Sequence, residues 1–208
     1  MADDPALEAH AFANTAFLAR DAGRPREAVR AAQAAQRAAR QLPSPRLLSL
    51  LSLREAGGWA GLGDRRGCEE ALRRARRLYG RGARDADPEW MSFFGEAELA
   101  GLEAQCWSAL GVWPRAVEHA RRAVAAQDPH FARNIALFTA ELAGDLAGWG
   151  ALEEAASAAE RALGLLDGVQ SARIRAMLAG TARTLRPHHR SAPVAAFLAR
   201  HDAAVRSA

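Results

Sequence analysis

AQCWSALGVWPRAVEHARRA, residues 104–123, holds a spacing that recurs through the chain and decides its fold. Gly111 stands at its centre. Seven residues before it is Ala104, five after it is Ala116, and seven further on is Ala123. The same template places Ala16, Ala28 and Ala35 around Gly23. It places Ala56, Cys68 and Ala75 around Gly63, and Ala143, Ala155 and Ala162 around Gly150. A glycine in this position predicts the end of one helix, because the left-handed conformation of a C-terminal cap costs glycine little. Small residues at fixed distances on both sides predict two antiparallel helices that approach closely where no bulkier side chain fits. Four positions before each glycine stand Ala19, Trp59, Trp107 and Leu146, so two of the four units carry a large aromatic knob there.

The composition agrees with an all-helical chain. Half of the 208 residues are hydrophobic, mostly Ala and Leu, which lose little on entering a helix. Ile occurs only at Ile135 and Ile174. Every one of the 28 basic residues is Arg, a bias that reads as GC-rich coding before it reads as chemistry. The formal net charge of +4 is modest and singles out no partner.

The template resembles the tetratricopeptide repeat, which has small residues at these offsets and a glycine between its helices. The resemblance spans about residues 6 to 165. It implies an all-α, right-handed helical repeat array (an α-α superhelix) of about ten helices. On this reading residues 1–164 form four divergent helix pairs, and residues 165–208 form a C-terminal capping pair around the breaker RPHHRSAP. Successive template glycines are 40, 48 and 39 residues apart, longer than the usual period of about 34, so the repeats are lengthened and divergent. The N-terminus shows no comparable cap before Phe12, which suggests a truncated chain or a neighbour packed there.

Several strings resemble a narrower family. LLSLLSLREA, DPEWMSFFGEAELAGLEAQCWSALG, HARRAVA and SARIRAMLAGTARTLRPH are similar to the C-terminal repeat region of actinobacterial Xre-type helix-turn-helix transcriptional regulators. The resemblance implies a sensor and dimerisation region that binds a peptide, protein or small-molecule ligand, acts as a homodimer, and touches DNA only through a helix-turn-helix absent from this chain. The competing reading is a stand-alone tetratricopeptide scaffold for protein–protein interaction.

In such arrays the first helix of each pair lines the concave face. Asp87 reads as an N-cap, with Pro88 at the first helical position and Glu89 at the positive end of the dipole. The spacing therefore predicts one helix over 88–110, roughly 35 Å long at about 1.5 Å per residue. Counting along it places Phe93 on the packing side and Trp90, Phe94, Glu98 and Gln105 toward the groove. From the next first helix, Asn134, Phe138, Glu141 and Asp145 form a stripe. From the preceding one come Arg46, Leu50, Leu53 and Arg54. A floor of Gly57, Gly101 and Gly144 with walls of Arg54, Glu98, Gln105, Asn134 and Glu141 suits a peptide backbone or a polar small molecule. Two alternatives stay open. Trp90 and Phe94 can bury against the hairpin around Leu78 and Tyr79, and the polar residues can pair with one another.

Other features point to ordinary packing. The arginines of ALRRARRLYGRGAR, residues 71–84, spread around a helix and read as a solvated face; direct nucleic-acid binding through them is the weaker reading. His188 and His189 are adjacent and lack accompanying ligands at metal spacing. Cys68 and Cys106 read as structural thiols. No catalytic motif, cofactor motif or metal site is expected, so the chain does not read as an enzyme. No apolar run reaches the roughly 18 residues of a membrane span, and MADDPALEAH is unlike a signal peptide; a cytoplasmic location is expected.

Overall fold

Each template glycine adopts the left-handed conformation that the spacing predicts: φ is 69° at Gly23, 71° at Gly63, 68° at Gly111 and 86° at Gly150. An L-residue with a side chain pays for that conformation and glycine does not. A computed structural model describes residues 4–168 and 170–206. Among them are ten α-helices and no strand. They are α1 (Pro5–Asp21), α2 (Pro25–Ala38), α3 (Pro45–Gly61), α4 (Arg65–Tyr79), α5 (Glu96–Ala109), α6 (Trp113–Ala126), α7 (Ala132–Trp149), α8 (Leu152–Leu165), α9 (Ala172–Leu185) and α10 (Ala192–Arg206).

Their starts are legible in residue chemistry. The Asp4 carboxylate accepts from Ala6 N at 2.8 Å, Asp64 accepts from Gly67 N at 2.9 Å, and Ser44 Oγ accepts from Leu47 N at 3.1 Å. Each satisfies an amide that the helix itself leaves unpaired. Pro5, Pro25 and Pro45 occupy first-turn positions, where proline's missing N–H costs nothing.

The contacts group into two units, Met1–Leu110 with α1–α5 and Gly111–Ala208 with α6–α10. In the first unit α1 pairs with α2, α3 pairs with α4, and α3 also packs on α1, α2 and α5. In the second unit α7 packs on α6, α8 and α9, while α10 packs on α8 and α9. The small residues of the template, from Ala16 to Ala162, are all at most 1% exposed, and most are alanines on the helix–helix seams. Approach is closest at Gly58 of α3, where an added Cβ would stand 2.7 Å from Val29 Cγ2 and 2.9 Å from Val29 N. The α2–α3 crossing therefore excludes any side chain at that point.

The interior of the first unit also holds two carboxylates. Glu55 of α3 receives hydrogen bonds from Gln33 and Gln36 of α2 at 3.1 and 2.8 Å, from Trp59 Nε1 at 3.2 Å, and from Arg74 of α4. Arg74 also reaches Ser52 Oγ at 3.2 Å. Glu103 of α5, only 1% exposed, pairs with Arg76 of α4. A buried carboxylate is tolerated when its lone pairs are filled and a cation faces it, and these two tie four helices together.

The long spacing between Gly63 and Gly111 resolves into a loop between α4 and α5 that contains one 3-10 turn, Glu89–Phe93. This corrects the expected helix over 88–110, because α5 begins only at Glu96. Asp87 does not cap a helix. Its carboxylate accepts from the Arg84 amide at 3.1 Å and from Ser44 Oγ, and lies 3.8 Å from Arg46 Nη1. Arg46 also donates to the Phe94 carbonyl. Anchored at these points to the start of α3, the segment cannot also run as a straight extension of α5.

A 3-10 turn at Arg186–His188 joins α9 and α10. Arg186 closes that corner through a two-pronged pair with Asp202 at 2.9 and 3.2 Å, and the hydrogen bonds from Arg186 and His201 lower the half-buried Asp202 carboxyl to about 2.

Candidate functional site

Within the first unit, three first helices bring a set of polar and aromatic side chains together. Phe17 and Arg20 come from α1, Arg54 and Gly57 from α3, and Gln105 from α5. Arg20 crosses α3 at Gly57, where an added Cβ would stand 3.2 Å from Arg20 Cδ. Its Nη1 then donates to Gln105 Oε1 at 2.7 Å, and its Nη2 to Asp21 at 2.9 Å. The guanidinium carbons of Arg20 and Arg54 lie 5.5 and 5.0 Å from the centroid of the Phe17 ring. Two cations close to one aromatic ring are drawn to its π-system, which orients their N–H donors. Arg54 is half-buried, as are Phe17, Arg20, Glu98 and Gln105. Guanidinium forks match the oxygens of carboxylates and carbonyls in geometry, and part of this hydrogen-bonding capacity is already spent internally.

The aromatics ahead of α5 divide in the opposite sense to the expected one. Phe94 is fully buried and packs edge-on against Tyr79, ring centroids 5.7 Å apart. Phe93 is 50% exposed. Helical counting assigned them the other way because it assumed a continuous helix through Gly95; in the 3-10 turn the two residues exchange faces. Phe94 is therefore a core residue and not a groove residue. Trp90 is half-buried and stacks against His10 of α1, centroids 4.2 Å apart, so it fastens the loop to α1. Arg46, Leu50 and Leu53 also belong to packing: Arg46 holds the loop, and the two leucines are buried.

The stripe on α7 lies within the second unit. Phe138 is 2% exposed and Asp145 is buried, which corrects the expectation that they face a groove. The reason is α9, which packs along α7. Glu141 lies 3.9 Å from Arg173 of α9, and an added Cβ at Gly144 would stand 3.8 Å from Thr181 Oγ1. Asn134 and Glu141 stay half-buried.

Residue counting missed Phe17 and Arg20, although the signal was present. Phe17, Gly57, Gln105 and Gly144 each stand six positions before a template glycine. Glu55 and Glu103 carried a similar signal, both eight positions before the glycine and four before a tryptophan.

The two thiols meet inside the first unit. Cys68 and Cys106 are buried, unbridged and in side-chain contact. The hydrogen bond that the Cys106 thiol makes to Cys68, followed by burial, pushes the Cys106 thiol well above its usual range. Both are packing groups. Among the described residues, no cluster of three or more His, Cys, Asp or Glu side chains could hold a metal ion, and no helix is long and apolar enough to cross a membrane.

No protein-family model matches the chain, and no curated protein matches it. Among solved structures, it is similar to a Podosopora anserina protein designated a kinesin light chain and built of nearly identical TPR-like repeats. That likeness covers 99% of this chain and 100% of the other, with a TM-score of 0.62 and 16% sequence identity. At that identity the likeness speaks to the fold, and the fold of this chain is all-α and tetratricopeptide-like.

Proposed function

We propose that this chain is a partner-binding module whose recognition surface is the α1–α3–α5 face of the first unit, centred on Arg54, Arg20 and Phe17. The observation that carries the reading is the pair of guanidiniums held over Phe17 beside Gln105. Tetratricopeptide-like folds typically act as scaffolds for other proteins and not as enzymes. A segment that offers a carboxylate or backbone carbonyls would exchange the internal hydrogen bonds of Arg20 and Gln105 for its own. Glu98, and Trp90 at the edge of the loop, would flank the bound segment.

In the finer reading, the module is the sensor and dimerisation region of a transcriptional regulator. Its support is the resemblance of DPEWMSFFGEAELAGL and its companion strings to that family. A bound ligand would then shift the population between two arrangements of the array. The stand-alone scaffold is supported equally by the tetratricopeptide-like fold. A helix-turn-helix in the same reading frame of the gene would favour the regulator, and its absence from the full gene would favour the scaffold.

The direct test is native mass spectrometry of the purified chain, wild type against Arg54→Ala. A dimer or a retained molecule that the variant loses, with helicity unchanged by circular dichroism, supports the reading. A monomer that retains nothing and behaves identically in both forms counts against it.

A further inference from the structure

Residues of the last three helices of the second unit line a half-open pocket of about 410 Å³, which is within the range of pockets that hold small molecules. Its walls are Leu163 from α8, Leu166 from the turn that follows, Leu178 from α9 and Val205 from α10. The facing positions on α9 are Ala176 and Ala179, so no side chain is long enough to fill the space between the helices. A pocket of this size with apolar walls, partly open to solvent, can admit the tail of a small amphiphile.

The charged residues of the lining are both arginines. Arg175 and Arg200 stand at the cavity, with His201 beside them, and none of the described lining residues carries a carboxylate. The two arginines differ in their surroundings. Arg200 donates to Glu160 at 3.1 Å, and its Nη2 lies 3.4 Å from where a Cβ on Gly164 would stand, so its charge is met and its place is fixed. Asp202 of α10 accepts from Arg186 and lies 3.1 Å from His201 Nδ1. Arg175 instead donates to the neutral amide oxygen of Gln170, at 3.3 Å. A carboxylate would replace that long neutral bond with a two-pronged, charge-assisted one.

We infer that this cavity binds a medium-chain monocarboxylate, its apolar tail among Leu163, Leu166, Leu178 and Val205 and its head group on Arg175. The site lies wholly within the second unit and does not depend on the function proposed for the α1–α3–α5 face.

Isothermal titration of the full chain with hexanoate, octanoate and decanoate, each below its micellar concentration, tests the site. Affinity should rise about fourfold per added methylene until the tail fills the cavity. Decanoate should bind at least about tenfold more tightly than decanol, and Arg175→Gln should remove that advantage while leaving decanol unchanged. Ala179→Phe, which fills the cavity, should abolish binding of both probes while helicity by circular dichroism stays at the wild-type level. Equal affinity for decanoate and decanol in the wild type overturns the proposal, as does the absence of saturable binding at millimolar concentration. Decanoate binding that survives Ala179→Phe in a folded variant overturns it as well.

Discussion

Arg20 of the first helix donates to Gln105 of the fifth at 2.7 Å, passing over Gly57 of the third. One side chain thus spans three first helices, and it does so because the residue beneath it has no Cβ. Arg20→Ala should cost about 1 kcal/mol in urea unfolding, since a charge-assisted bond at a partly exposed site contributes little more. Gly57→Leu should displace the Arg20 stem and impair partner binding more than it impairs stability. A Gly57→Leu variant that binds as wild type does would show that the Arg20–Gln105 bridge has no part in recognition.

The two adjacent phenylalanines should respond very differently to truncation. Phe94→Ala removes a fully buried ring from its contact with Tyr79 and should cost about 3–5 kcal/mol. Phe93→Ala should stay within about 0.5 kcal/mol of wild type. Denaturant midpoints for the pair give the comparison, and the reverse order would restore the helical assignment of these residues.

Glu55 should make stability depend on acid. Burial alone would raise its carboxyl, but Gln36, Gln33, the Arg74 charge and Trp59 together hold it below the ordinary 4.5. A carboxyl lowered in the folded state stabilises the fold fully above its unfolded value, and that contribution disappears as pH falls through the lowered value. The stability difference between wild type and Glu55→Gln should therefore be full at pH 7 and shrink below about pH 4.5. Thermal melts across pH 3–7 measure it. A difference that does not change with pH would mean that Glu55 is not ionised in the folded chain. Glu55→Ala, which leaves Arg74 and two glutamines facing an empty site, should cost about 3 kcal/mol at pH 7.

The thiols should be silent until the chain unfolds. Cys68 and Cys106 are both buried, and the Cys106 thiol is pushed up, which suppresses its reactive thiolate. An aromatic disulfide reagent should label neither at pH 8 in buffer and both in concentrated guanidinium. Cys68→Ala should be well tolerated, whereas Cys68→Leu should cost about 1–3 kcal/mol by overfilling a seam built for a small side chain.

Repeat spacing was legible without coordinates because it follows from backbone stereochemistry and close approach. A left-handed turn selects glycine at Gly23, Gly63, Gly111 and Gly150. A tight helix–helix seam selects Ala28, Cys68, Ala116 and Ala155. Both constraints act within one hairpin, so one-dimensional spacing records them. The polar face was legible in part. Phe17, Gly57 and Gln105 share one offset from their template glycines, and Arg20 of α1 reaches all three.

What only the tertiary structure decided lies between hairpins. The segment from Asp87 to Gly95 has local signals for a helix start, but Ser44 and Arg46 engage Asp87 and the Phe94 carbonyl. Those long-range bonds, with the burial of Phe94, outweigh propensities worth a few tenths of a kcal/mol per residue. Phe138 has the spacing of a groove residue, yet α9 packs along its helix and the ring is interior. The cavity beside Arg175 depends on where three helices diverge, a distance that no run of residues records. The sequence by itself determined the helices, their turns and the seams of this protein. Which faces the seams left open was decided by the packing of one hairpin on the next, because burial at those positions depends on residues far away in the chain.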